Sequence, residues 1–331
     1  MPSIRPYLWI QTLITERGFE DIRDLLAGIV IVSITFLSVI CIPFFGSFIL
    51  ILSPLPILYH YLKHGMIHGL IVFIVSLCMV AIILNSYHQT ANLHLLFISG
   101  ALGIALSEVL KKNYPIELTI LFPVVMLLLI WSSFILYETF SSGISPWRLI
   151  EEYIDSNIQD NIKFYSRLEL PDETLSLLKE NAKQITSFFV NVFPAIGLIS
   201  ATFVVWINLL FSRDIFQKRS LAYSNFGDLS LWKAPEKLVW LFITSGTMIF
   251  IPVEWIRFPS LNIFIVIIFI YLLHGLAISS FFFKRRNIAR PFRIIFYLLI
   301  FTQQYFTIFV IAAGLFDLWI DFRKYIAPVA D

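Results

Sequence analysis

Nine stretches of this chain run for about 20 residues with almost no charge, the length a helix needs to cross roughly 30 Å of bilayer hydrocarbon. They fall at 25–42, 44–62, 66–85, 93–110, 117–137, 185–211, 237–253, 261–283 and 294–316. Backbone N–H and C=O groups find no water in lipid, so each run must close its hydrogen bonds within itself as a helix. The expected fold is all-α: a polytopic transmembrane helix bundle of about nine spans, with eight as the alternative. Composition agrees, since 58% of the 331 residues are hydrophobic and 14% are charged, against about a quarter charged in soluble domains. The 33 Phe and 8 Trp suit lipid-facing surfaces and interfacial belts. Pro54 and Pro56 interrupt the second run and Gly46 opens it, so this run is expected to face protein or a pocket.

Charge sets the expected orientation. Lys63, Lys111 with Lys112, Arg213 with Lys218 and Arg219, and the cluster Lys284, Arg285, Arg286, Arg290 and Arg293 fall on one side if nine spans alternate. By the positive-inside rule that side is the cytoplasm, and the N-terminus lies there too. The opposite side receives the uncharged loop 85–92 and the segment 138–184, which carries 9 acidic against 5 basic residues. Nine spans put the terminal DLWIDFRKYIAPVAD outside, whereas Arg323 and Lys324 fit eight spans with both ends inside. Glu16, Arg17, Glu20, Asp21, Arg23 and Asp24 precede the first run and no small-residue cleavage site follows it. That run is therefore expected to stay as a span rather than be removed as a signal peptide. The localisation expected is a bacterial inner membrane.

The segment 138–184 is the sizeable polar piece. Ile150, Ile154, Ile158 and Ile162 recur every four residues among acids and amides, the pattern of an amphipathic helix. Pro171, Asp172 and Glu173 read as the start of a second helix. The chain is thus divided into an N-terminal membrane bundle (1–137), an extracytoplasmic amphipathic hairpin (138–184) and a C-terminal bundle (185–331), with the two bundles forming one folding unit.

Chemical motifs are sparse. There is no GxxxxGK[ST], HExxH, GxSxG or CxxC, so neither nucleotide nor metal-dependent hydrolysis has a warrant, and no cofactor is expected. A net charge of +2 gives no argument for nucleic acid. Cys41 and Cys78 sit in apolar runs and read as small hydrophobes. His60, His64 and His68 have the i, i+4, i+8 spacing of one helix face, but Gly65 is expected to break that face, and no acid or thiol nearby completes a tetrahedral metal set. Ser99, Gly103 and Ser107 form a small-residue stripe for close helix packing, and Gly197 with Ala201 form another.

Polar groups at membrane depth say more, because hydrocarbon tolerates them only when they are paired or line a cavity. His274 lies near the middle of its run and Gln303 and Gln304 near the middle of theirs. Antiparallel neighbours would bring the three together, with Tyr271 one turn away. Asn191 stands three residues before Pro194, which should kink its helix. These five, Tyr271, His274, Gln303, Gln304 and Asn191, are the candidate substrate-binding residues. After the last run, Asp317, Asp321 and Arg323 suit an amphipathic helix at the interface.

The stretches PLPILYHYLKHG (54–65), FGDLSLWKAPEKLVW (226–240), YLLHGLAI (271–278) and GLFDLWIDFRK (314–324) resemble the YybS-like family of bacterial membrane proteins. The family's N-terminal half is similar to the substrate-binding S-components of energy-coupling factor transporters. The resemblance implies a helical bundle with a vitamin-like ligand pocket. It supplies no binding residues, and the AxxxA docking face of S-components is absent, since Ala27 is followed at i+4 by Ile31.

Two functions follow as expectations. One is a non-catalytic subunit that binds a small organic molecule for a transport system whose energy comes from other membrane proteins. The other is a scaffold or assembly subunit of an inner-membrane complex. An intramembrane enzyme or proton-coupled carrier is disfavoured because His274 is the lone titratable group expected at mid-depth.

Overall fold

The computed structural model describes residues 7–42, 45–86, 93–167, 172–219 and 226–325, with backbone alone at 7–20, 172–174, 214, 217 and 218. The expectations for residues 87–92, for Pro171 and for the tail beyond 325 lie outside these. The described residues form helices α1 (Tyr7–Cys41), α2 (Phe45–Leu52), α3 (Pro54–His64), α4 (Met66–Ser86), α5 (Leu93–Lys111), α6 (Ile116–Ser142), α7 (Pro146–Ser166), α8 (Asp172–Lys218), α9 (Leu238–Met248), α10 (Glu254–Arg285), α11 (Arg290–Thr302) and α12 (Gln304–Ile320), with short 3₁₀ turns at Leu229–Leu231 and Phe322–Tyr325. They gather into two compact units, Met1–Ser132 with Ser200–Asn225 and Ser133–Ile199 with Phe226–Asp331. Both α6 and α8 contribute to each.

In the first unit α1, α3, α4 and α5 pack around Val32, Phe36, Ile57, Val72 and Leu96. The prolines break the second span as expected, and Ser53 and Pro54 at the break are buried. Two side chains satisfy the freed carbonyls: Ser53 Oγ donates to Leu50 O at 2.8 Å and Asn208 Nδ2 to Ile51 O at 2.7 Å. The small-residue stripe of α5 is used within this unit. Ser99 hydroxyl-bonds to Ser53, a Cβ on Gly103 would stand 2.9 Å from the Pro54 carbonyl, and buried Ser107 donates to Gly103 O at 2.8 Å.

Gly65 ends α3 at φ +96°, yet it does not separate the histidines as the sequence led us to expect. The His60 and His64 rings stack at 6.3 Å and those of His64 and His68 lie 5.4 Å apart, although α4 turns back at Gly65 to pack along α3, with Gly69 against Tyr61. His64 Nε2 lies 3.3 Å from Asp24 Oδ2, and Lys63 pairs with the same carboxylate. Among the described residues no cluster of His, Cys, Asp or Glu has the geometry to hold a metal ion.

In the second unit, Ile150 and Ile162 of α7 are buried and Ile154 and Ile158 half-buried, which is the amphipathic face read from the sequence. Thr186 Oγ1 on α8 donates to Asp155 Oδ1 at 3.2 Å, and Trp147 meets Phe258 edge-on at 5.5 Å. The Pro194 kink is splinted from α10. The Asn262 amide sits between two ladder groups that the kink parts, accepting from Ala195 N at 2.9 Å and donating to Asn191 O at 2.8 Å. Asn262→Leu would leave both backbone groups buried and unpaired, and a loss of about 1–2 kcal/mol is expected. Thermal unfolding in detergent measures it; an unchanged midpoint would mean that the kink is stable without the amide.

Among the described residues seven helices are long and apolar enough to cross a membrane, or eight if α11 and α12 count as one span bent by 103°, in line with the eight-span alternative. The ninth expected span is thus broken at Gln303. The seventh, 237–253, contains a helix of only 11 residues, about 16 Å long. The chain nevertheless runs beside α10 from Asp228 to Gly246. Asp228 pairs with Lys284, Ala234 packs on Tyr271 and Ile267, and Gly246 faces Phe264. Lys284 to Phe264 is 20 residues of helix, about 30 Å. The first half of this path, 228–237, is unwound apart from its 3₁₀ turn, because Asp228 caps Ser230 N instead of continuing a helix and Pro235 can donate no hydrogen bond.

A buried charged cluster beside an unwound segment

Two glycines bring α10 and α12 into backbone contact. A methyl on Gly275 would collide with the Val310 carbonyl, and one on Gly314 with the Tyr271 carbonyl. Each glycine neighbours a polar residue at this seam. His274 precedes Gly275, Asp317 follows Gly314 by three, and the two side chains meet with Nε2 3.2 Å from Oδ2. Their exposures are 1% and 0%. His274 stands 10 residues from Lys284, about 15 Å along α10.

Arg323 completes the cluster because α12 ends in a left-handed residue. Asp321 adopts φ 48°, ψ 67° and its N–H donates to Asp317 O at 3.0 Å. Asp tolerates that conformation better than most residues. The chain folds back, so Phe322 N donates to Asp317 Oδ1 at 2.7 Å and Arg323 Nη1 to Oδ2 at 3.0 Å. Arg323 Nη2 then donates to Trp232 O at 3.0 Å, satisfying a carbonyl of the unwound segment. The Trp232 ring meets His274 edge-on, centroids 6.1 Å apart. Lys324 and Lys233, each 3.1 Å from Asp321, hold its carboxyl below the usual range. Among the described residues, Tyr271 Oη, both ring nitrogens of His274 and Arg323 Nε are buried without an in-line hydrogen-bond partner.

The sequence candidates divide accordingly. Tyr271 and His274 are at the centre. Gln303 and Gln304 are exposed at the α11–α12 bend and do not meet them: Val310 is the residue opposite Gly275, and Gln304 lies 6 residues further along α12, about 9 Å away. The Asn191 side chain is exposed, and its carbonyl is taken by Asn262. Asp317 and Arg323, expected at the interface with Asp321, lie in the seam instead, and only Asp321 with Lys324 keeps a surface character. Trp232 and Asn262 were missed. The available signal was a glycine beside a polar residue on both helices, which marks a close crossing built around a buried group.

The fold and this cluster define the class: a multi-pass α-helical membrane protein with a buried ionic cluster between α10, α12 and the unwound segment 228–237. The chain belongs to the family described as "Predicted membrane protein (DUF2232)", whose family model matches residues 30–318. That region includes Tyr271, His274 and Asp317 and stops short of Arg323. The chain is also 21% identical over 320 residues, 92% of its own length and 99% of the other, to the uncharacterized protein YybS of Bacillus subtilis strain 168. No solved structure matches it.

Proposed function

We propose that the protein is a non-catalytic substrate-binding subunit of a bacterial inner-membrane transport system, oriented with its basic ends and N-terminus toward the cytoplasm. Its recognition centre is Tyr271, His274, Asp317 and Arg323, and partner membrane proteins supply the energy. The observation that supports this reading is the buried Tyr271–His274–Asp317–Arg323 cluster beside an unwound segment, with Tyr271 Oη and Arg323 Nε left without a hydrogen-bond partner. Hydrocarbon penalises such atoms unless a guest or neighbour meets them, and discontinuous spans are where transporters hold small molecules. The charge balance also favours binding. Asp317 and Arg323 neutralise one another and leave His274, Tyr271 and Arg323 Nε to hydrogen-bond a small polar organic molecule beside the Trp232 ring, edge-on to His274, and the Phe242 ring, edge-on to Tyr271 at 5.9 Å. The transport setting draws on the S-component resemblance of the N-terminal half. His274 is no longer the lone titratable group at this depth, since Asp317 lies against it, so proton coupling loses the objection raised from sequence.

Native mass spectrometry of the detergent-purified full chain, with thermal shifts across a vitamin and metabolite panel, provides the test. A small bound mass or a stabilising compound is expected, with affinity reduced about tenfold in Tyr271→Phe, which removes one hydrogen bond and little else. An empty protein unmoved by the whole panel rules the reading out. A stable protein complex that ignores Tyr271→Phe and is lost on deleting 145–183 identifies a scaffold instead.

A further inference from the structure

The turn between α10 and α11 carries five cations: two are engaged by acid or backbone groups, while Arg285, over the Phe281 ring at 5.8 Å, and Arg286 and Arg290 meet no carboxylate among the described residues. Lys284 pairs with Asp228, whose carboxyl burial would raise; Lys284 and Ser230 outweigh that and bring it down to about 2. Arg293 is a brace: its Nε donates to Ile288 O at 2.8 Å and its Nη2 to Phe283 O at 3.1 Å, closing the turn over Asn287 at φ 47°. Arg285, Arg286 and Arg290 are exposed. They project from a turn held rigid by the other two.

The helix that follows supplies a second surface. α11 turns from α12 by 103° at Gln303, so a bilayer normal along α12 puts α11 close to the membrane plane. Its inner side is fixed by Phe296 and Tyr297, which meet Phe283 edge-on at 5.0 and 6.0 Å. Its outer side exposes Phe292, Ile295, Leu298 and Phe301, the last 74% exposed. Polar headgroup and acyl chain are therefore addressed side by side, by three guanidiniums and by an apolar face within a few residues of them. A free anion would have no use for the apolar face, and a neutral lipid none for the guanidiniums.

We propose that this corner is a binding site for an anionic phospholipid, with Arg285, Arg286 and Arg290 on the headgroup phosphate and α11 against the acyl chains. Guanidinium forks match phosphate oxygens, and each cation near an anionic membrane surface strengthens binding about fivefold. The site is independent of the cluster at His274.

The test is native mass spectrometry of the full chain in detergent, titrated with phosphatidylglycerol or phosphatidylcholine. Phosphatidylglycerol is expected to be retained preferentially, the preference weakening as salt is raised. The triple variant R285Q/R286Q/R290Q should lose most of it, while K284Q, which removes a cation already paired, should keep it. Equal retention of the two lipids by the native protein, or an undiminished preference in a triple variant that melts normally, overturns the proposal. So does competition by millimolar inorganic phosphate as strong as by added phosphatidylglycerol, which would identify a free-anion site. Should the triple variant not fold, the salt series and phosphate competition on the native chain decide the matter.

Discussion

The Gly314→Ala variant is expected to lose about 3 kcal/mol or more of stability, the upper end of the range for overpacking. The added methyl has nowhere to go: it meets the Tyr271 carbonyl and the Gly275 N–H, both main-chain groups in a rigid helix. Relief requires α10 and α12 to part, which also separates His274 from Asp317 and lets water reach a pair that is now dry. Gly246→Ala is the control. There the nearest obstacle is the Phe264 ring at 3.1 Å, a side chain that can turn aside, so a cost below about 1 kcal/mol is expected. Unfolding midpoints in detergent for the two variants measure the contrast. Equal, small shifts would mean that the seam is looser than described here.

A comparable loss is expected from breaking the ion pair in that seam. Asp317→Leu strands the Arg323 guanidinium, and Arg323→Met strands the carboxylate beside His274. Removal of one partner of a buried pair costs about 3–5 kcal/mol. The double variant should cost clearly less than the two single losses together, because the desolvated charge is gone. Arg323→Lys should not restore stability, since one ammonium cannot span both Asp317 and the Trp232 carbonyl as the planar fork does. Strict additivity of the two single losses would show that Arg323 does not act on Asp317 at all.

How much of this was legible from the residues depends on what broke each helix. The break at Ser53 could be read because Pro54 and Pro56 leave a covalent mark. The α7 face could be read because four isoleucines keep helical period in polar company. The bend at Gln303 leaves no such mark. The run 294–316 is apolar with neither Pro nor Gly before position 314, so it reads as one straight span, and the two glutamines read as polar groups at its centre. Once the chain bends there, the crossing helix moves ten residues onward to Gln304–Ile320. That shift carries Gln303 and Gln304 out of the middle and Asp317 into it. The partner of His274 was therefore hidden by an error of register rather than of chemistry. Trp232 was hidden for a different reason. A span that is half unwound has too few apolar residues to be recognised, and Lys233, Glu236 and Lys237 make it look like a loop.

Those same charges bear on how the protein is made. The segment 228–248 holds too little apolar surface and too many ionic side chains to partition into a bilayer unaided. It is stable there against α10 and under the guanidinium of Arg323, both of which the ribosome produces later. Its entry would therefore wait for downstream chain, so α10 through Arg323, which follow it, act as its insertion chaperone. Truncation before Arg323 should leave that stretch stranded in water, open to protease.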